Sequence, residues 1–127
     1  MQMTHEHVDK WLTRYVEAWQ SYDPNEVKAL FTEDATYAYR PWDDPLRGRA
    51  AILASWLVER DAPGSWSATY ECVMVADDQA VATGRTDYFG GDGALEKRYH
   101  NCFLVRFDED GTCSSFVEWY MRLPSPA

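Results

Sequence analysis

Residues 95–123 read LEKRYHNCFLVRFDEDGTCSSFVEWYMRL. Two runs of aromatic, β-branched and polar residues flank Asp108-Glu109-Asp110-Gly111. Runs of this kind joined by a short polar turn read as antiparallel strands. The first covers Leu95 to Phe107 and the second Cys113 to Leu123, where Pro124 ends it. Working back, the same pattern gives strands over Trp66 to Ala76, turned at Asp77-Asp78, and over Ala80 to Phe89, closed by Gly90-Gly91-Asp92-Gly93. Four consecutive strands make a meander. Long antiparallel strands twist and coil, and a curled sheet has a hollow on its concave side.

The residues before Ser65 have a different period. Val8, Trp11, Leu12, Tyr15 and Trp19 recur on one face of a helix. That helix runs from about residue 5 to Ser21, with Thr4 as N-cap and His7 where a capping box would have Glu. Asp23-Pro24 restarts the chain as a short second helix through Phe31, since Asp caps and Pro suits the first helical position. Thr32-Glu33-Asp34 ends it, and Ala35 to Arg40 reads as a strand. Pro41 and Pro45 bracket a loop containing Trp42, placed to cover a pocket mouth. A third helix covers roughly Gly48 to Arg60, with Ile52, Leu53, Trp56 and Leu57 as its stripe, and Ala62-Pro63-Gly64 stops it. Three N-terminal helices on a curved, mainly antiparallel sheet make an α+β fold. A length of 127 residues suits one domain over 1–127.

Composition narrows the function. Six Trp, eight Tyr and five Phe make 15% of the chain, and two readings compete: a core built of bulky residues, or a concave small-molecule site, which aromatic groups commonly line. A net charge of −9 argues against nucleic acid or an anionic membrane surface as partner. Cys72, Cys102 and Cys113 are widely spaced, with no Cys-x-x-Cys, which suits free thiols in a reducing cytoplasm. The first residues contain no apolar run, so neither a signal peptide nor a membrane anchor is expected. His5 and His7 lack a third metal ligand, and no phosphate-binding loop or nucleophile elbow is present. The expectation is therefore no metal and no cofactor.

The order helix, helix, strand, helix, four strands resembles the nuclear transport factor 2-like superfamily with its SnoaL-like domains. Tyr15, Leu30-Phe31-Thr32-Glu33-Asp34-Ala35-Thr36, Leu46 to Ile52 and Val105 to Gly111 carry the likeness. The resemblance implies a cone-shaped α+β barrel with an open pocket, and a homodimer through the outer sheet face. Ketosteroid isomerases of this superfamily imply a Tyr on the first helix, matched by Tyr15, but their base and second acid fall on Tyr39 and Phe103. The limonene epoxide hydrolase pattern implies an Arg-x-Asp element, matched by Arg85-Thr86-Asp87. It also implies a second acid at Glu118, and a water-holding Tyr at Tyr37. It departs in having Glu rather than Asp at 118 and Tyr39 where Asn belongs.

Glu118 lies within Phe116-Val117-Glu118-Trp119-Tyr120-Met121. A carboxylate in such a run is paired or protonated if buried, and burial raises its pKa toward that of a general acid or base. Hairpin register decides its helpers. A loop that sets Asp87 opposite Lys97 and Arg85 opposite Tyr99 avoids like-charge pairs. That register puts Arg85, Asp87, Tyr99, Asn101 and Phe103 on the pocket face and His100 outside. The expected catalytic set is Glu118, Asp87 and Arg85. The expected binding walls are Trp11, Tyr15, Trp19, Tyr37, Tyr39 and Trp56, with Tyr99, Asn101, Phe103, Phe116 and Tyr120 from the sheet. Three functions compete. One is a cofactor-free isomerase, hydrolase or cyclase for a small apolar or aromatic substrate. Another is a noncatalytic small-ligand binding protein. The last is a dimeric interaction module with a vestigial pocket.

Overall fold

A computed structural model describes residues 3–58 and 60–124. Met1, Gln2 and Glu59, the last within the expected third helix, lie outside the described residues. Helix α1 is His5–Ser21, and Thr4 caps it by accepting the His7 backbone N–H at 3.1 Å on Oγ1. Its buried face is Val8, Trp11, Leu12, Tyr15 and Ala18. Tyr22 ends it in the left-handed region with φ 52°. Helix α2, Pro24–Leu30, starts on Asp23, whose carboxylate accepts the Asn25 N–H at 2.9 Å.

Strand β1 is Phe31–Ala38, earlier than the sequence suggests. Phe31 leaves the helix because its backbone pairs with Cys113 in parallel register, and this pairing overrides the polar Thr32-Glu33-Asp34 run. A two-residue strand β2, Leu46–Arg47, forms between the loop ending at Pro45 and the third helix, a stretch the sequence left unassigned, and pairs with Thr36 and Tyr37. Helix α3 is Arg49–Val58, burying Ile52 and Trp56. Strands β3 (Trp66–Ala76), β4 (Gln79–Phe89), β5 (Leu95–Phe107) and β6 (Cys113–Arg122) follow.

The six strands form one sheet in the order β2-β1-β6-β5-β4-β3. All neighbours are antiparallel except β1 and β6. The four-strand meander is as its turns imply, and the helices cover one face of the sheet. Aromatic rings fill the space between. Phe116 stacks on Tyr37 with centroids 4.5 Å apart and on Tyr15 at 5.4 Å, and Phe103 packs on it at 4.7 Å. Ring pairs at such offsets stabilise a core beyond the area they bury.

One bulge sets which residues face that core. At the turn, Phe89 pairs with Leu95. Past the irregularity between Tyr88 and Phe89, Tyr88 pairs with Lys97, Thr86 with Tyr99, and Gly84 with Asn101. The register expected from charge pairing therefore holds only at the turn. One extra residue on β5 slides the rest by one, and a one-residue slip exchanges the faces. Arg85 and Asp87 stand opposite His100 and Arg98 on the outer face. The favourable cross-strand partner of Asp87 is Arg98, a pairing that neither simple loop length offers.

Candidate active site

A cavity of about 860 Å³ opens between the helices and the concave sheet face. Helix α1 contributes Tyr15 and Trp19, β1 contributes Tyr37, and α3 contributes Trp56. Tyr39 stands at the end of β1, its hydroxyl 2.8 Å from Ser55 Oγ. From the sheet come Tyr99, Asn101, Glu118 and Tyr120. Phe103 and Phe116 do not reach the cavity surface. They are 1% and 0% exposed and form its packed underside. Trp11 also belongs to the core, its indole N–H donating to the Leu30 carbonyl at 3.1 Å. Trp42 is 78% exposed, with the Arg40 guanidinium 6.0 Å from its ring.

Arg85 and Asp87 are not at this site. Asp87 receives two hydrogen bonds from Arg98, at 2.8 and 3.2 Å, and lies 3.6 Å from Arg85. Hydrogen bonds from Arg98, with the positive charge of both arginines, hold its carboxyl below the ordinary range. The proposed Arg, Asp and Glu118 grouping is therefore not assembled. Thr86, between them in sequence, takes the inward position and is buried.

What Glu118 meets instead is a chain of neutral donors. Asn101 Nδ2 donates to Glu118 Oε2 at 2.7 Å. Thr86 Oγ1 donates to Asn101 Oδ1 at 2.9 Å. A hydroxyl has one proton, so the 2.6 Å contact between Tyr70 Oη and Thr86 Oγ1 must be donated by Tyr70. The series Tyr70, Thr86, Asn101, Glu118 thus runs in one direction and ends on the carboxylate. Burial pushes the Glu118 carboxyl up to about 7, against a smaller downward pull from the Asn101 hydrogen bond. Among the described residues no cation pairs with it.

Two phenols complete the polar floor. Tyr15 Oη and Tyr37 Oη are 2.7 Å apart. Burial raises both pKa values, and the nearby Glu118 charge raises them further, so both stay protonated. One proton serves their mutual hydrogen bond and the other remains available. Among the described residues no group of three His, Cys, Asp or Glu side chains is placed to hold a metal.

Sequence reasoning missed Tyr70, Thr86, Tyr88 and Asp61. Tyr70 had a signal, because Gly84 across the strand pair leaves room for its ring. A Cβ at Gly84 would collide with the Tyr70 side chain and the Thr69 carbonyl. Asp61 had none, being a loop residue whose carboxylate accepts the Trp19 indole N–H at 3.0 Å.

Among curated proteins the chain has no match. Among solved structures, 376 chains match, so this is a widely used fold that leaves the reaction open. One is the crystal structure of a ketosteroid isomerase-like protein from Kribbella flavida DSM 17836. It is 19% identical, with a TM-score of 0.69 over 97% of this chain and 84% of that one. At that identity the likeness concerns the cone-shaped α+β fold. The family model of the SnoaL-like domain matches residues 12–116, from the middle of α1 to the strand that carries Glu118, and the chain belongs to that family.

Proposed function

We propose that this chain is a cofactor-free enzyme that moves a proton on a small apolar or aromatic substrate, as an isomerase, hydrolase or cyclase. The reading rests on one observation. Among the described residues Glu118 is the one carboxylate on the cavity's sheet wall, with a pKa pushed up to about 7 and a directed hydrogen-bond chain behind it. A base with this pKa works near neutral pH. In the simplest step the ionised carboxylate removes a C–H proton beside a carbonyl. The developing oxyanion accepts the spare proton of the Tyr15–Tyr37 pair as a hydrogen bond. Glu118 then returns its proton to carbon, at the same or another position.

Exchange with solvent tests this directly. Small aromatic and alicyclic ketones that raise the melting temperature are incubated with the protein in D2O. Deuterium should enter the α-carbon, with a rate that rises through about pH 7, and Glu118→Gln should lose it by about 100-fold or more. Equal exchange by the variant removes the enzymatic reading. A noncatalytic ligand carrier is the second reading, favoured because among the described residues no cation pairs with Glu118 to fix a reacting anion. Under it, ligands bind and exchange stays at background. We also place the chain in a reducing compartment, on its three free cysteines, and as a homodimer through the outer sheet face, where Trp119 and Met121 are exposed. Sedimentation at a monomer's mass across the micromolar range would sink the dimer.

A further inference from the structure

The cavity mouth carries charge of the sign the chain lacks. The sequence has 21 acidic and 12 basic side chains, yet Arg40, Arg60 and Lys97 all stand on the lining. Arg40 is committed to Asp43 at 3.1 Å. Lys97 and Arg60 are not committed. Among the described residues neither lies within ion-pair distance of a carboxylate, whereas Lys10, Arg47, Arg85, Arg98 and Arg106 each do.

Both cations are held in place without being neutralised. Lys97 Nζ lies 5.3 Å from the centroid of Tyr88, and the Arg60 guanidinium 5.6 Å from that of Tyr22. A ring face orients a cation and leaves its charge available to a ligand. The two rings belong to one end of the cavity. Tyr22 Oη accepts the Asp61 backbone N–H at 2.8 Å, and Tyr88 feels the charge of the same Asp61 and, less strongly, that of Glu118. Asp61 offsets one of the two positive charges, and its carboxylate is engaged by Trp19. Among the described residues Lys97 and Arg60 against Asp61 leave one positive charge over there. Glu118 lies on the sheet wall, held by Asn101. Lys97 and Arg60 attract an anion and Glu118 repels one, while the aromatic lining takes an apolar body.

We propose that the ligand is an aromatic or alicyclic compound with an anionic group, its body toward Glu118 and its anion between Lys97 and Arg60. This rests on the reading of the cavity as a small-molecule site, and deepens it from an apolar substrate to an amphipathic, anionic one.

A matched pair of probes tests it. Binding of 2-naphthoate and of neutral 2-naphthamide is measured by calorimetry at pH 6 and low salt, where Glu118 is largely protonated. Naphthoate should bind about five- to ten-fold more tightly, as expected for one or two partly screened ion pairs, and salt should erode the difference. The Lys97→Met, Arg60→Gln double variant should bind naphthoate no better than naphthamide. Lys97→Arg should keep the preference. A cooperative melt at the wild-type temperature reports an intact fold. Equal binding of the two probes by the wild type, or a preference that survives the double variant, overturns the inference and leaves the cavity reading standing. Binding of neither probe overturns both.

Discussion

Thr86 has one proton, and where it points fixes the protonation of a residue two strands away. Because that proton goes to Asn101 Oδ1, Asn101 must present its NH2 to Glu118. Thr86→Val keeps the shape and removes this constraint. The Asn101 amide is then free to turn its oxygen to Glu118, which favours the protonated carboxyl. The Glu118 midpoint, followed by carbon-13 NMR of the carboxyl, should move above about 7. The loss of a buried acceptor for Tyr70 should cost about 1–2 kcal/mol of stability. A midpoint that stays or falls would show that Thr86 does not orient the amide.

At the scale of elements, the fit between β3 and β4 depends on Gly84. The Tyr70 ring lies where any Cβ at that position would be. Gly84→Ala should lower stability by about 1–3 kcal/mol in urea unfolding and displace Tyr70 from Thr86. Wild-type stability in that variant would mean the ring moves aside freely. Such elements differ in how far the sequence reveals them. The face of α1 is legible because five apolar residues repeat at helical spacing within a helix of seventeen residues. The ends of β3 and β5 are legible because turn residues bracket long β-rich runs. Strand β2 is not, since the two residues after Pro45 have no pattern and exist as a strand only through Thr36 and Tyr37. The wall that holds Glu118 is half legible. Alternation along β6 puts Phe116, Glu118 and Tyr120 on one face whatever happens elsewhere. The partners of Glu118 depend on the bulge beside Tyr88, which inverts β4 relative to the turn. No local residue preference announces it, and the Asp87–Arg98 pair that rewards it becomes visible only once the register is known.

For the whole molecule, two carboxyls set the dependence of stability on pH in opposite directions. Glu118 has a folded pKa raised to about 7 from an ordinary 4.5. Its favourable contribution is complete below the ordinary value and is lost as pH rises toward 7. Asp87 has a lowered folded pKa, so its contribution is present above the ordinary carboxylate range and is lost in acid. Together they place the best stability at mildly acidic pH. Glu118→Gln removes the first dependence. Relative to the wild type it should gain on the order of 2–3 kcal/mol between pH 5 and pH 8. Urea unfolding at the two pH values measures this, and parallel behaviour of the two proteins would contradict a buried Glu118 with a raised pKa.

The stacking of Trp19 on Trp66 carries one more consequence. Their ring centroids are 3.6 Å apart with planes inclined by 18°, and Trp19 is part of the cavity lining. Two indoles this close share their excited states. Their coupled transition gives a circular dichroism couplet that depends on their mutual angle. The pair joins the last turn of α1 to the first residue of β3, so the signal reports the seam between helix layer and sheet. A guest that presses on Trp19 changes the angle and with it the couplet. The protein thus has a built-in optical gauge of whether its cavity is filled, readable without label, substrate or turnover.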